Sequence, residues 1–171
     1  MSERRYSAVE LLTTAHSVDD FDCGSADETN WLRSHGLTAQ ISGAIRVYVV
    51  RRLSDDRVVG FHALATGAVL PLEAPERVSN GVGSYPISVI ILTRLGVDLS
   101  EQRQGLGRAL LVDALERVNA AADIVGVRAV LIHAADERSR GFALALAEFE
   151  ASPTDPLHLF LPVKDLRHSL T

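Results

Sequence analysis

Pro86-Ile87-Ser88-Val89-Ile90-Ile91-Leu92-Thr93-Arg94-Leu95-Gly96-Val97-Asp98 is followed, three residues on, by Gln102-Arg103-Gln104-Gly105-Leu106-Gly107. The first stretch is rich in aliphatic residues through its middle, as a strand covered on both faces should be. It predicts a strand over Ile87 to Val97, with Gly96 near its end as a bulge or splay point. After the glycine turn, Leu110, Leu111, Ala114, Leu115 and Val118 recur at helical spacing, so Arg108 to Asp123 reads as a helix. A strand that enters a glycine-rich turn and then a helix is an anion-binding arrangement. The first amides of a helix have no intrahelical partner, and the helix dipole places partial positive charge there. Gly105 and Gly107 let the backbone approach a pyrophosphate with no Cβ in the way, and Arg103 and Arg108 add charge.

Other phosphate loops can be separated by spacing. G-x-x-x-x-G-K-[ST] is absent. The dinucleotide fingerprint G-x-G-x-x-G fails because position 110 is Leu rather than Gly or Ala. What remains is Q-x-x-G-x-G at the end of a long aliphatic strand.

Working outward, Phe21-Asp22-Cys23-Gly24 precedes a predicted helix that Ser25 or Asp27 caps and Gly36 ends. Ile45 to Arg51 and Val58 to Leu64 read as a hairpin around the polar turn Ser54 to Arg57. Residues 71 to 86 carry Pro71, Pro75, Asn80, Gly81, Gly83 and Pro86, which is loop chemistry. Beyond the second helix come a strand over Val127 to His133, a helix over Asp136 to Glu148 and a strand over Leu157 to Val163. The order predicts an α/β (α+β) fold, with a mixed central sheet flanked by helices.

The bulk composition excludes several classes. The chain has 171 residues, expected to form one domain over 1–171, and a globule of this length buries about 70% of its unfolded surface without a staple. Cys23 is the one cysteine, so neither an intrachain disulfide nor a cysteine metal cluster can form, and no metal is implied. The N-terminus does not read as a signal peptide, and the longest apolar run, Phe142 to Ala147, is too short for a membrane span. A cytoplasmic protein is expected. Net charge is −5, which weakens a simple nucleic-acid reading, although a local basic patch remains compatible with it. Arginine supplies nearly all of the 17 basic residues, with Lys164 the one lysine. This suits bidentate phosphate contacts or equally reflects a GC-rich genome.

With its element order, the motif Gln102-x-x-Gly105-x-Gly107 resembles the acetyl-coenzyme A turn of the GNAT superfamily of N-acetyltransferases. The resemblance implies a strand pair that splays near Gly96, with the pantetheine arm filling the gap like an added strand. It would put Leu95, Gly96 and Val97 against the pantetheine. Gln102, Arg103, Gln104, Gly105, Leu106, Gly107 and Arg108 would form the pyrophosphate turn.

A narrower resemblance covers roughly residues 10 to 160. Phe21-Asp22-Cys23-Gly24, Leu32-Arg33, Val58-Val59-Gly60-Phe61, the strand from Pro86 to Asp98, Gly126 to Ala129, His133-Ala134 and Gly141-Phe142 are similar to the acetyltransferase toxins of bacterial toxin–antitoxin modules. That subgroup acetylates the α-amine of the amino acid on charged tRNA, which blocks translation, and a ribbon-helix-helix antitoxin neutralises it. A homodimer is one form this leaves open. Arg94 would lie beside the reaction centre to meet tRNA phosphate; a sheet-edge salt bridge is the competing reading. Cys23 reads as a small packed residue rather than a nucleophile, since nothing nearby marks a partner base.

The sequence departs from the subgroup at Gly141-Phe142-Ala143, where a tyrosine is usual in the third place as proton donor to the leaving thiolate. Such donation is worth about 10²–10⁴-fold, yet a thiol of pKa about 8.5 leaves tolerably unaided. Tyr48, Tyr85, His133 and Ser139 are candidate donors, and the sequence assigns none of them. The expectation is an acetyl-CoA-dependent N-acetyltransferase acting on aminoacyl-tRNA. Its rivals are an enzyme of small amines or protein N-termini, and a weakly active acetyl-CoA-binding module that docks an antitoxin.

Overall fold

The computed structural model describes residues 3–170. Seven strands form one sheet in the order β1-β2-β3-β4-β5-β7-β6. They are β1 (Glu10–Leu11), β2 (Arg46–Arg51), β3 (Val58–Val69), β4 (Ile87–Val97), β5 (Ala129–His133), β6 (Glu150–Ala151) and β7 (His158–Pro162). The sheet is mixed: β4 and β5 are parallel, whereas β1–β2, β2–β3, β5–β7 and β6–β7 are antiparallel. The helices are α1 (Ala26–Trp31), α2 (Leu37–Ser42), α3 (Glu76–Ser79), α4 (Leu106–Ala122), α5 (Glu137–Leu146) and α6 (Val163–Ser169). The chain divides into two compact units: the residues up to Leu64 with Arg94–Asp113, and Ala65–Thr93 with the residues from Ala114 on.

In the first unit, β2 and β3 pair from Arg46↔Leu64 to Arg51↔Val58, with an irregularity at Val50/Arg51. Asp56 takes φ +59 to close the connecting turn. Phe21, Leu32, Val47, Val49, Val58, Phe61 and Ala63 make one buried cluster, in which Phe61 meets Phe21 edge-on and Trp31 face-on. A second cluster joins Val50, Val59, Leu106 and Leu110, and Leu95 and Val97 pack against it. Ser25, whose side chain accepts from the Glu28 amide, caps α1.

Gly36 does not end that helix. The chain passes through a π-helical turn at Leu32–Gly36 into α2 and stops at Gly43, which takes the left-handed conformation at φ +79. Gly36 is buried, and a Cβ there would stand 3.2 Å from Leu32 Cδ1, so its smallness serves packing.

In the second unit, Ile87 and Val89 of β4 pack with Ala129 and Leu131 of β5, Phe160 of β7, and Ala74 and Val78. The region read as loop therefore holds a short 3-10 turn at Pro71–Glu73 and helix α3, whose Val78 is buried. Arg128 fixes it by donating from Nε to the Val78 carbonyl and from Nη2 to that of Asn80. Asp136 caps α5 through the Ser139 amide. β3 runs five residues further than predicted, to Val69. β1, β6 and α6 add elements that the sequence pattern did not announce. Among the described residues no helix is long and apolar enough to cross a membrane, and no group of three His, Cys, Asp or Glu could hold a metal ion.

Candidate functional site

The glycine turn is braced before it begins. Asp98 ends β4 and caps a 3-10 turn at Leu99–Glu101: it accepts from the Ser100 amide and hydroxyl, from the Asp22 amide at 3.0 Å and from Arg57 at 3.3 Å. Glu101 is only 1% exposed. It accepts from Tyr6 Oη, from Arg5 at 2.8 Å and from Arg52 at 3.0 Å. Burial pushes its carboxyl up, but the bonds from Tyr6, Arg52 and Arg5 outweigh that and hold it below the usual carboxylate range. The same balance holds Asp98 down, where burial is opposed by Ser100, the Asp22 amide and Arg57.

Gln102 explains why an amide side chain starts the motif. Its Nε2 donates at 3.0 Å to both the Cys23 carbonyl and the Val97 carbonyl, tying the turn to the end of β4 and to the Phe21–Gly24 segment. That segment adds the Leu99 amide on the Asp22 carbonyl and the Gly24 amide on Asp22 Oδ1, with Gly24 at φ +88. Phe21-Asp22-Cys23-Gly24 is thus a buttress for the turn. Cys23 sits within it, its Sγ 3.4 Å from Thr29 Oγ1 and next to the backbone of Gly96.

Among the described residues, Arg103, Gln104 and Gly105 show no such side-chain tie. Arg103 takes φ +64 and Gly105 φ +83; Arg103, Gln104, Gly105 and Arg108 are exposed. A Cβ at Gly105 would find nothing within 4 Å, so the turn faces open space. Helix α4 starts at Leu106, two residues earlier than the periodicity indicated, so Leu106, Gly107 and Arg108 supply its first amides. An exposed turn, two left-handed residues and the start of a 17-residue helix fit a bound anion.

On β4, Leu95 and Val97 are half-buried on one face, while Gly96 points the other way, where a Cβ would stand 2.9 Å from Phe61 Cε1. Gly96 thus also makes a close approach to an aromatic ring. Parallel pairing of β4 with β5 runs from Val89↔Ala129 to Leu92↔Ile132, whereas β4 itself continues to Val97.

Arg94 lies over the Trp31 ring, 5.0 Å from its centroid, with Nη1 3.6 Å from Asp27 and 3.4 Å from Glu28 of α1. Burial raises the Glu28 carboxyl, and Arg94 opposes that rise. Of the proton-donor candidates, Tyr48 sits with its ring tilted 32° to the buried His62, whose Nε2 is 2.8 Å from Asp113. Tyr85 is fully on the surface, and Ser139 sits in the first turn of α5 on Asp136. His133 ends β5 and stacks on His158. Ala143 is 2% exposed on the buried face of α5, between the more exposed Phe142 and Leu144.

Glu101, and the bracing role of Asp98 at the end of the strand motif, escaped the sequence reading because two acids beside a polar turn look like solvated surface. The one available signal was their position, immediately before Gln102.

No family model matches the chain. It is 44% identical over 162 residues to the tRNA-acetylating toxin of Mycobacterium tuberculosis (strain ATCC 25618 / H37Rv), covering 95% of each chain. It is 30% identical over 161 residues to the probable toxin TacT of Sinorhizobium fredii (strain NBRC 101917 / NGR234), covering 89% of this chain and 88% of that one. Among solved structures it is similar to AtaT. In AtaTR bound with acetyl-CoA, the TM-score is 0.82 at 25% identity, covering 98% of this chain and 99% of that one. In AtaT complexed with acetyl-methionyl-tRNAfMet, the TM-score is 0.86 at 24% identity, covering 96% and 99%.

Proposed function

The chain belongs to the family of tRNA-acetylating toxins, and from that premise we propose that it moves the acetyl group of acetyl-CoA onto the α-amine of an aminoacyl-tRNA, as the toxin of a toxin–antitoxin pair. The observation that carries this reading is the 44% identity along 95% of the chain to a tRNA-acetylating toxin. The geometry of the turn agrees with the chemistry.

In this reading the amides at 103–108 receive the pyrophosphate, with Arg103 and Arg108 as exposed cations beside it. Gln102 belongs to the cofactor-binding turn, and with Glu101 it holds that turn open in advance, which lowers the cost of ordering it at binding. Leu95, Gly96 and Val97 would lie along the pantetheine as the edge of an added strand. Arg94 is already paired with α1, so its task is to fix Trp31 and α1 and to offer its outer face to tRNA phosphate. The substrate amine, once neutral, attacks the thioester carbonyl directly, aided by positioning and by strand amides that polarise that carbonyl. Residues 1–171 act as a single acetyltransferase domain in the cytoplasm, partnered by a ribbon-helix-helix antitoxin, with a homodimer as one form open to it.

The test uses purified full-length protein, labelled acetyl-CoA and a pool of charged tRNAs, with acid-stable label on the aminoacyl group as the readout. Label on one or a few aminoacyl-tRNAs is expected, and it would show that Ala143 is tolerated. Label only on free amines or peptide N-termini would move the assignment to a small-amine enzyme. Bound acetyl-CoA with no transfer to any amine would leave a silent module.

A further inference from the structure

Lys164 is the one lysine of the chain, and it lines a cleft of about 190 Å³ with Arg77, Val127, Arg128, Pro162 and Val163. All six residues belong to the second unit. Three separate elements supply the cations: Arg77 comes from α3, Arg128 immediately precedes β5, and Lys164 lies in the first turn of α6. Backbone bonds hold the base of the cleft together. The Arg128 amide donates to the Ser88 carbonyl at 2.9 Å, and the Arg128 carbonyl accepts from the Val163 amide at 3.0 Å.

The guanidinium of Arg128 is fixed as well, with Nε and Nη2 donating to the Val78 and Asn80 carbonyls at 3.0 and 2.8 Å. Those acceptors are neutral, so they orient the group and leave its charge uncompensated. Arg77 Nη2 pairs with Asp165 Oδ2, which cancels one charge. Lys164 is exposed, and among the described residues no carboxylate pairs with it. Three cations less one carboxylate leave a surplus of two positive charges in a chain of net charge −5. Like charges gathered in one cleft repel one another, and an anion between them turns that cost into attraction.

We propose that this cleft receives a backbone phosphate of the tRNA substrate, a contact made by the second unit itself. The inference rests on the aminoacyl-tRNA reading above. Guanidinium and ammonium groups are the donors that phosphate takes. Arg77, Arg128 and Lys164 are all exposed, so water and salt screen each contact. A free phosphate ion is held weakly on such terms, whereas a polyanion adds this contact to its others. A local surplus of cations is also what an acidic protein needs in order to bind RNA at all.

The sole lysine makes the test site-specific. Reductive methylation with isotope-labelled formaldehyde marks Lys164 alone among the side chains and keeps its charge. Its NMR signal in the full-length protein is followed as deacylated tRNA, inorganic phosphate or a short DNA duplex is added. The tRNA should shift the signal at micromolar concentration, and inorganic phosphate only at far higher concentration. Lys164→Gln should weaken tRNA binding by about three- to tenfold and reduce the steepness of log Kd against log salt by about 0.7–0.9. In the transfer assay its effect should fall on the KM for aminoacyl-tRNA rather than on kcat, and Lys164→Arg should restore both binding and KM. A tRNA titration that leaves the Lys164 signal in place overturns the proposal, as does a Lys164→Gln affinity and salt slope equal to wild type. Inorganic phosphate binding as tightly as tRNA would make the cleft a free-anion site, and duplex DNA doing so would make it a DNA contact; either overturns the assignment to substrate. Transfer by wild type to no aminoacyl-tRNA overturns the reading beneath it and the proposal with it, an outcome visible before the cleft is probed.

Discussion

Strand β4 is held in two different ways along its length. From Ile87 to Leu92 it is gripped by aliphatic neighbours and by the parallel ladder to β5. From Arg94 to Val97, Leu95 and Val97 still pack on the apolar cluster of Val50, Val59, Leu106 and Leu110, but hydrogen bonds that fix this end come from residues just past the strand: Gln102 on the Val97 carbonyl, and the Asp98 amide on the Val59 carbonyl. A strand end that must offer an edge to a ligand cannot be fixed by pairing that edge. Here the fixing is done by carboxylates and an amide side chain beyond the end of β4, where they also set the turn.

The sharpest way to break this comparison is at Glu101. Glu101→Gln keeps the shape but removes the charge on which Arg5, Arg52 and Tyr6 converge. Arg5 is half-exposed and can return to water, so the loss should be about 3 kcal/mol rather than more. Urea unfolding would measure it, and acetyl-CoA affinity should fall with it. Glu101 and Asp98 are both depressed from ordinary values of 4.5 and 3.8, so each stabilises the fold above those values. That contribution is lost as pH falls through the lower folded values. Wild type should lose stability steadily below pH 4.5, and Glu101→Gln should show a shallower slope over the same window. An equal slope would mean that the buried carboxylate is not what braces the turn.

The second unit makes the opposite case at α5, where apolar packing excludes a polar group. Ala143→Tyr places a ring in a site that is 2% exposed and should destabilise the protein by about 2–3 kcal/mol. Leu144→Tyr, one step around the helix at a more exposed position, should fall within about 0.5 kcal/mol of wild type. Equal tolerance of the two would show that the helix rotates freely and that the site at Ala143 is not committed to packing.

Much of this was legible in the chain. The run from Ile87 to Val97 announced its strand because burial on both faces demands aliphatic residues, and the turn at 102–107 became readable because its glycines stand between that strand and a helical pattern. Leu110, Leu111, Ala114, Leu115 and Val118 read as a helix face and are all buried. The mixed sheet flanked by helices followed from the element order. What stayed hidden had no periodic signature. β1 and β6 are two residues each, too short for any alternation to register. Gly36 looked like a helix end because glycine usually is one, whereas its role is to admit Leu32 and Leu12, and Gly43 does the stopping. Glu101 looked like surface because its arginine partners come from residues 5 and 52, a pairing that only the folded chain brings together. At the site, the motif gave the backbone of the turn but not its anchors, and the stacked pair His133/His158 required the β5–β7 register.

The finest test sets two strand glycines against each other. Gly96→Ala, in the polar-braced half of the comparison, drives a Cβ to 2.9 Å from Phe61 Cε1 and 3.3 Å from Cys23 Sγ. Phe61 is fully buried and clamped by Phe21 and Trp31, so it cannot give, and the cost should be about 2 kcal/mol. Gly67→Ala, against the aliphatic half, meets Ile91 Cδ1 at 2.7 Å, which looks worse on distance alone. Yet that atom is the far end of a half-buried side chain that can change rotamer, and the next contact is at 3.4 Å on the same side chain. Replacing glycine also lowers the entropy of the unfolded chain, worth about 0.4–1 kcal/mol in the other direction. The net for Gly67→Ala should therefore stay below about 1 kcal/mol, measured by urea unfolding at matched slopes. If the shorter contact proved the costlier one, Ile91 would be a stiffer neighbour than Phe61, and the aliphatic half of β4 the more tightly packed.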